Sequence, residues 1–184
     1  MYFKSIKKYI GIKFLSGDLK KNDTFRNKKA FNLSDAKSIL IVIEIKNQDD
    51  IEMAKKYVGY FKELKKKVKV VGYVDQETLP EFNYSKIEFD LFAQKELNWY
   101  LKPLGFLSGA LIQEEFDLLI DLNISNCLPL KFITILSKSR FKVGLLSNQN
   151  NSYLDLLIDI STNHSVDFLF RQALIYLNMI NNNI

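Results

Sequence analysis

The run ILIVIEI, residues 39–45, is apolar and β-branched over the length of a strand, and it constrains the fold more than any other stretch. Runs of this kind typify strands covered on both faces, since a half-exposed strand alternates apolar with polar residues. Asp49 and Asp50 follow, and then Ile51, Ala54, Val58, Phe61 and Leu64 recur at helical spacing on one stripe. Asp49 with Glu52 has the form of a capping box. Lys62, Lys65, Lys66 and Lys67 close the helix, where positive charge suits its dipole. VKVVGYV, 68–74, is the next strand, so residues 39–74 read as a βαβ unit, right-handed by the general rule.

The same alternation continues. A short strand is expected near IEFDLF, a helical turn around QKELNWYL before Pro103, and a short helix over 106–114. FDLLIDL is a strand, Leu128 to Ser137 a helix with Pro129 in its first turn, and FKVGLL, 141–146, a strand. NQNNS at 148–152 is a polar loop and LDLLIDI, 154–160, a further strand. Val166, Leu169, Phe170, Ala173, Leu174, Leu177 and Ile180 mark one face of a last helix. Strands alternating with helices predict a three-layer α/β/α domain. Its sheet is expected to be mostly parallel, Rossmann-like or flavodoxin-like, with about five or six strands. The expected organisation is a basic amphipathic extension over 1–36 and the α/β domain over 37–184.

Several functions lose their support. The first strand-to-helix turn, EIKNQDDIEM, has no glycine to let backbone N–H groups approach a phosphate, and its aspartates would repel one. The common nucleotide-loop, serine-hydrolase and zinc-protease motifs are missing elsewhere too. With one histidine and one cysteine, a zinc site built from those ligands is nearly excluded, so neither metal nor cofactor is expected. A single cysteine also rules out an internal disulfide and suits a reducing compartment. No apolar run approaches the roughly 20 residues that span a bilayer, and the lysine-broken N-terminus lacks a signal-peptide core. The expected location is cytoplasmic.

FDLLIDLN, 116–123, has a near-echo in LDLLIDIS, 154–161, each with an aspartate at either end of its apolar run. Residues four apart on a strand share a face, so Asp117 pairs in direction with Asp121, and Asp155 with Asp159. Ionised carboxylates cannot be buried in a covered strand without partners, so all four are placed at strand ends. Glu44, Asp75, Asp121 and Asp159 then fall at the carboxyl edge, where open α/β sheets bind ligands. The bland reading is that they cap loops and helices there. An alternative is a ligand edge at Asp75, Asp121 and Asp159. A more remote one is a nucleophilic set of Asp121, Cys127 and His164, for which no flanking motif speaks.

The chain's basic character sits in residues 1–37, where nine lysines and Arg26 face three aspartates for a net of +7. The whole chain carries +5, so the remainder is close to neutral. On a helix Phe3, Ile6, Ile10 and Phe14 share a stripe, and Lys4, Lys7 and Lys8 lie largely off it. One reading docks that stripe on the domain. Another has Lys4, Lys7, Lys8, Lys20, Lys21, Arg26, Lys28 and Lys29 bind an anionic partner, RNA or a ribonucleoprotein ahead of a membrane surface. The combined expectation is a non-catalytic binding or adaptor module, with a protein partner as a further option. Its alternative is an enzyme or small-ligand binder using the acidic edge.

The segment FDLLIDLN…LPLKFITILSKSRFKVG resembles a passage in the N-terminal domain of bacterial heptosyltransferases. Those enzymes need a second Rossmann-like domain that this length does not hold, so neither activity nor catalytic residues carry over. AKSILIVIE, LNWYLKP, FDLLIDLN, SKSRFKVG and YLDLLIDI together resemble an uncharacterised family of small proteins from Bacteroidota. That resemblance implies the fold and a cytoplasmic setting without an activity.

Overall fold

Ser38–Glu44 form strand β1, and its side chains divide by parity. Ile39, Ile41 and Ile43 enter one core cluster and Leu40 and Val42 another, so both faces of the strand are covered. The computed structural model describes residues 2–22, 26–107, 113–147 and 152–180. After helix α1 (Tyr2–Asn22) and β1 come α2 (Gln48–Glu63), β2 (Lys67–Tyr73), β3 (Phe89–Phe92), a 3-10 turn (Gln94–Glu96) and α3 (Leu104–Leu107). Then follow β4 (Leu118–Asp121), α4 (Leu128–Leu136), β5 (Phe141–Leu145), β6 (Leu156–Ile158) and α5 (Val166–Met179).

The described strands form one six-stranded sheet in the order β3-β2-β1-β4-β5-β6, every pair parallel. This is the doubly wound order of Rossmann sheets rather than the flavodoxin order. On one face α2 supplies Ile51, Ala54, Val58 and Phe61, and α5 supplies Leu169, Phe170, Ala173 and Leu177. On the other face lies α4, with Leu130 and Ile133 against Leu40, Val42 and Leu119. The fold is the expected three-layer α/β arrangement.

Helix α4 is buried from Leu128 through Ile135, because α1 covers the side that faces away from the sheet. Leu15 of α1 packs with Leu128, Phe132 and Ile135 of α4, and with Tyr153 and Leu154. A helix apolar all round needs such cover. Buried Lys142 closes its far end, donating from Nζ to Thr134 O at 2.6 Å and Ile135 O at 3.0 Å, where a cation suits the helix dipole.

Three local expectations need correction. The side chain that caps α2 is Asn47, whose Oδ1 accepts from Asp50 N, so Asp49 is not the first residue of a capping box. Asp50 in turn accepts from Lys46 N, which joins the two ends of the turn. On α1 the buried positions are Gly11 and Leu15, while Ile6 and Phe14 of the expected stripe are about half exposed. The side chain of Phe3 lies outside the described residues. Gly11 explains the rotation: a Cβ there would sit 2.5 Å from Tyr100 O and 2.7 Å from Leu128 Cδ2, so only glycine allows this approach. The last strand is also shorter than expected, confined to Leu156–Ile158.

Residues 26–36 run beneath the amino edge of the sheet. Arg26 makes a two-pronged pair with Asp155 at 2.7 and 2.6 Å, Lys29 N donates to Arg140 O, and Leu33 N donates to Leu177 O. Phe31, Leu33 and Ala36 belong to the main core.

Candidate functional site

The echoed phrase is one device used twice. The first aspartate of each copy ties neighbouring strands together at the amino edge. Asp117 accepts from Lys37 N at 2.8 Å and Ser38 N at 3.2 Å, and Asp155 accepts from Lys142 N at 2.8 Å. The second turns the chain at the carboxyl edge by accepting the N–H two residues on. Asp121 accepts from Asn123 N at 3.0 Å and Asp159 from Ser161 N at 2.8 Å. The two copies differ in depth. Asp159 is exposed, whereas Asp121 is buried and also accepts from Thr134 Oγ1 at 2.9 Å. Burial raises the Asp121 carboxyl to about 6, against the pull of those donors and of Lys131 and Lys142.

A cleft of about 600 Å³ lies over the carboxyl ends of β1, β2 and β3. It forms where the strand order reverses, since β1 leads to α2 on one face and β4 to α4 on the other. Glu44 ends β1 and Tyr73 ends β2, with Asp75 just beyond it. Asp75 Oδ1 accepts from Tyr73 Oη at 2.9 Å and from Gln94 Nε2 at 2.8 Å. Burial, and then Asp75, push the Tyr73 phenol upward, so it stays a neutral donor. Lys7 and Lys8 of α1 and the start of α4 complete the wall.

The turn 97–101 supplies the apolar part, with Leu97, Trp99 and Leu101 in the lining. Asn98 holds this turn: its Oδ1 accepts from Tyr100 N at 3.1 Å and Lys102 N at 2.9 Å. Tyr100 stacks on Phe14 with ring centroids 4.5 Å apart, and Lys102 pairs with Asp18 at 2.6 Å, so the turn is locked to α1. Leu101 and Asn126 both have left-handed backbones, φ 71° and 61°, and both line the cleft. Asparagine tolerates that conformation; for leucine it stores strain of ~1–3 kcal/mol, of the kind found at ligand sites.

The sequence-derived candidates are distributed as follows. Asp75 and Cys127 line the cleft together with Lys7 and Lys8, which brings residues of the acidic and the basic sets into one wall. Asp121 lies inside the protein, and Asp159 lines a separate cavity of about 410 Å³ with His164. Cys127 and His164 therefore line different cavities, and Asp121 is engaged by Thr134 and Asn123 instead of orienting a histidine. Burial, followed by the negative charges of Glu44, Asp75 and Asp121, pushes the Cys127 thiol up to about 12, so it is not a thiolate at neutral pH.

Of the other basic candidates, Arg26 is committed to Asp155, while Lys20, Lys28 and Lys29 are exposed. The side chains of Lys4 and Lys21 lie outside the described residues. The basic set is split: half-buried Lys7 and exposed Lys8 stand at the carboxyl edge, and Lys28 and Lys29 follow the 21 residues of α1, whose length is ~30 Å. Sequence reasoning missed Tyr73, Gln94, Asn98 and Trp99 as site residues. Three signals were nevertheless present in LNWYLKP: an exposed-type polar residue at a turn, a tryptophan and a proline.

Among the described residues no three of His, Cys, Asp or Glu come together in a way that could hold a metal ion. None of their helices is long and apolar enough to cross a membrane. The family of unknown function DUF6913 matches residues 7–180, and the chain belongs to it. That match bears on neither the heptosyltransferase likeness nor a Bacteroidota origin. No curated protein and no solved structure matches the chain.

Proposed function

We propose that this member of the family is a small-molecule-binding protein whose ligand occupies the cleft at the carboxyl edge. One observation carries the reading: a recess of about 600 Å³ at the reversal of strand order, with carboxylates on the sheet edge, ammoniums on α1 and an exposed indole in its wall. Both signs of charge favour a polar ligand. An anionic group would face Lys7 and Lys8, hydrogen-bond donors would face Glu44 and Asp75, and a flat or apolar part would rest against Trp99. The raised Cys127 thiol favours binding over nucleophilic catalysis. A cytoplasmic setting, suited to a lone thiol, is part of this reading.

Trp99 is the chain's one tryptophan and is 58% exposed, so the native protein reports on its own cleft. Acrylamide quenching of the full chain, measured across a panel of nucleosides, amino acids and sugar phosphates, tests the reading. A ligand is expected to shield the indole, and Asp75→Asn to weaken that protection. If no compound shields Trp99 and none raises Tm, the reading fails.

A second reading is that of an adaptor engaging RNA or a ribonucleoprotein, less so a membrane surface, through the basic segment. It is supported by exposed Ile6, Tyr9 and Ile12 on α1 beside exposed Lys8, Lys13 and Lys20. Deleting residues 1–34 would remove Phe31 and Leu33 from the core, so the suitable variant is the surface pair Lys13→Glu and Lys20→Glu. Sedimentation with ribosomes or vesicles that is strong at low salt and lost in this variant would support the adaptor. Equal sedimentation of both proteins would sink it.

A further inference from the structure

The described strands are all parallel, so they begin together at the amino edge, opposite the cleft. Four segments meet there: the turn before β3, the link from α2 to β2, residues 26–37 and the end of α5. Side-chain bonds join them. Lys62 pairs with Glu88, which ties the end of α2 to the turn before β3. Lys66 Nζ donates to Ser34 O at 3.3 Å and Ala36 O at 2.7 Å, and Asn32 Nδ2 donates to Asn178 O at 3.2 Å and Ile180 O at 2.6 Å. The ends of α2 and α5 therefore share one surface. The two most exposed large apolar side chains among the described residues both stand on it: Ile87, 77% exposed, in the turn before β3, and Met179, 67% exposed, at the end of α5. Leu64, the C-cap of α2, is exposed on the same surface.

Carboxylates at this edge are matched from within the fold. Lys62 pairs with Glu88, Lys67 with Glu114 and Arg26 with Asp155, while Arg140 serves both Glu115 and Asp117. Beyond these pairs the edge exposes Lys29, Lys37, Lys65, Lys86 and Lys138 against Asp35 and Glu63, so its charge is positive. Lys37, Lys65, Lys86 and Lys138 stand just before β1, β2, β3 and β5, spread over four strand spacings, ~19 Å. Aliphatic side chains protruding from a field of lysines match the interface of an anionic bilayer, where apolar tips reach the acyl boundary and ammoniums meet phosphates. A second copy pairing this surface with itself would set lysines against lysines. A nucleic acid would answer the charge but leave Ile87, Leu64 and Met179 in water, and none of the three offers a ring on which a base could stack.

We propose that the amino edge, on the side shared by α2 and α5, docks on an anionic lipid bilayer. Ile87, Leu64 and Met179 enter the interfacial layer, and Lys37, Lys65 and Lys86 meet the headgroups. The cleft then faces away from the bilayer, open to solvent. This does not rest on the cleft reading, and its surface is not that of α1. The experiment is co-sedimentation of the full chain with vesicles of phosphatidylcholine and phosphatidylserine in equal parts, beside vesicles of phosphatidylcholine alone. Binding is expected with the anionic vesicles only. Each lysine near such a surface contributes about fivefold, so Lys65→Glu with Lys86→Glu should weaken binding by more than about tenfold. Ile87→Ser should weaken it severalfold at unchanged charge. In Trp99→Phe with Ile87→Trp the only indole sits at the amino edge, and its emission should move to the blue when anionic vesicles are added.

The proposal is overturned if neither kind of vesicle binds, if both bind equally, or if binding survives the double glutamate variant. An indole at position 87 that keeps its emission while the protein sediments would overturn it too. Binding lost in Lys13→Glu with Lys20→Glu, yet kept in the edge variant, would give the membrane to α1 instead. An RNA oligonucleotide held by the edge lysines, with vesicles ignored, would put nucleic acid in place of lipid. None of these results would touch a polar ligand in the cleft, which is read separately through Trp99 quenching.

Discussion

Replacing Asp121 with asparagine should remove a pH dependence that the native fold carries between about pH 4 and about pH 6. In the unfolded chain this carboxyl ionises near its ordinary 3.8, and in the fold burial raises it to about 6. Between those values the native state holds a proton that the unfolded state has released. Stability therefore falls as pH rises through the window, and the loss is complete above the folded value. The displacement of about two units, at 1.36 kcal/mol each, makes the effect ~3 kcal/mol. The groups that act on it are the Asn123 N–H, the Thr134 hydroxyl and the ammoniums of Lys131 and Lys142, all of which lower the value. Asparagine keeps the shape, can accept from Asn123 N and can donate to the Thr134 oxygen.

Urea unfolding of both proteins from about pH 4 to about pH 7 is the assay, with the difference between them as the readout. Glu52 and Glu88, lowered first by their lysine partners, give a slope of opposite sign that is common to both proteins and cancels. The difference should move in favour of Asp121→Asn by ~3 kcal/mol across the range. A flat difference, or one that favours aspartate as pH rises, would mean that Lys131 and Lys142 stabilise the carboxylate more than burial opposes it. The account of Asp121 given above would then be wrong.

Gly11→Ala places a methyl 2.5 Å from Tyr100 O, a backbone atom that cannot swing aside, so α1 must lift from α4. A loss of ~1–3 kcal/mol is expected in thermal or urea unfolding, with a change in Trp99 emission as the neighbouring turn shifts. Arg26→Ala removes the two-pronged partner of Asp155, a residue at the surface, and should cost ~1 kcal/mol in urea unfolding. Raised salt should shrink that cost, and a variant as stable as the parent would show the pair to be ornamental.

How much was legible in the sequence depends on which interaction decided each element. β1, α2, β2 and α5 were readable because their own periodicity places their side chains: the run 39–45 could only be a covered strand, and Leu169, Phe170, Ala173 and Leu177 could only be one helical face. The seating of α1 was not readable. Its apolar stripe pointed to Phe3, Ile6, Ile10 and Phe14, whereas the buried positions are Gly11 and Leu15, with Phe14 half-exposed in a stack on Tyr100. A glycine carries no hydrophobic signal, and what it permits is visible only once the opposing backbone is in place. The site suffered from the same blind spot. Asp75 and Lys7 were each noticed, but as members of rival hypotheses, because nothing local says that the first helix borders the cleft at the carboxyl edge. The left-handed backbone at Leu101 was likewise invisible, since leucine gives no cue for it.

The cover that α1 gives α4 makes the order in which the elements are synthesised matter. The ribosome makes α1 early, but its seat is formed by residues from Tyr100 to Leu154, and the last stitch that holds its trailing end is Asp155. At ~5–20 residues per second, the helix waits on the order of ten seconds before its docking surface exists. During that interval Leu15 and Leu19 have nothing of their own chain to lie against. A nascent-chain chaperone, or slow synthesis through the middle of the message, would therefore have a defined interval in which to act on this protein. Arrest peptides that report pulling force should register one late event as Asp155 and the last strand leave the exit tunnel, well after the βαβ unit could have closed.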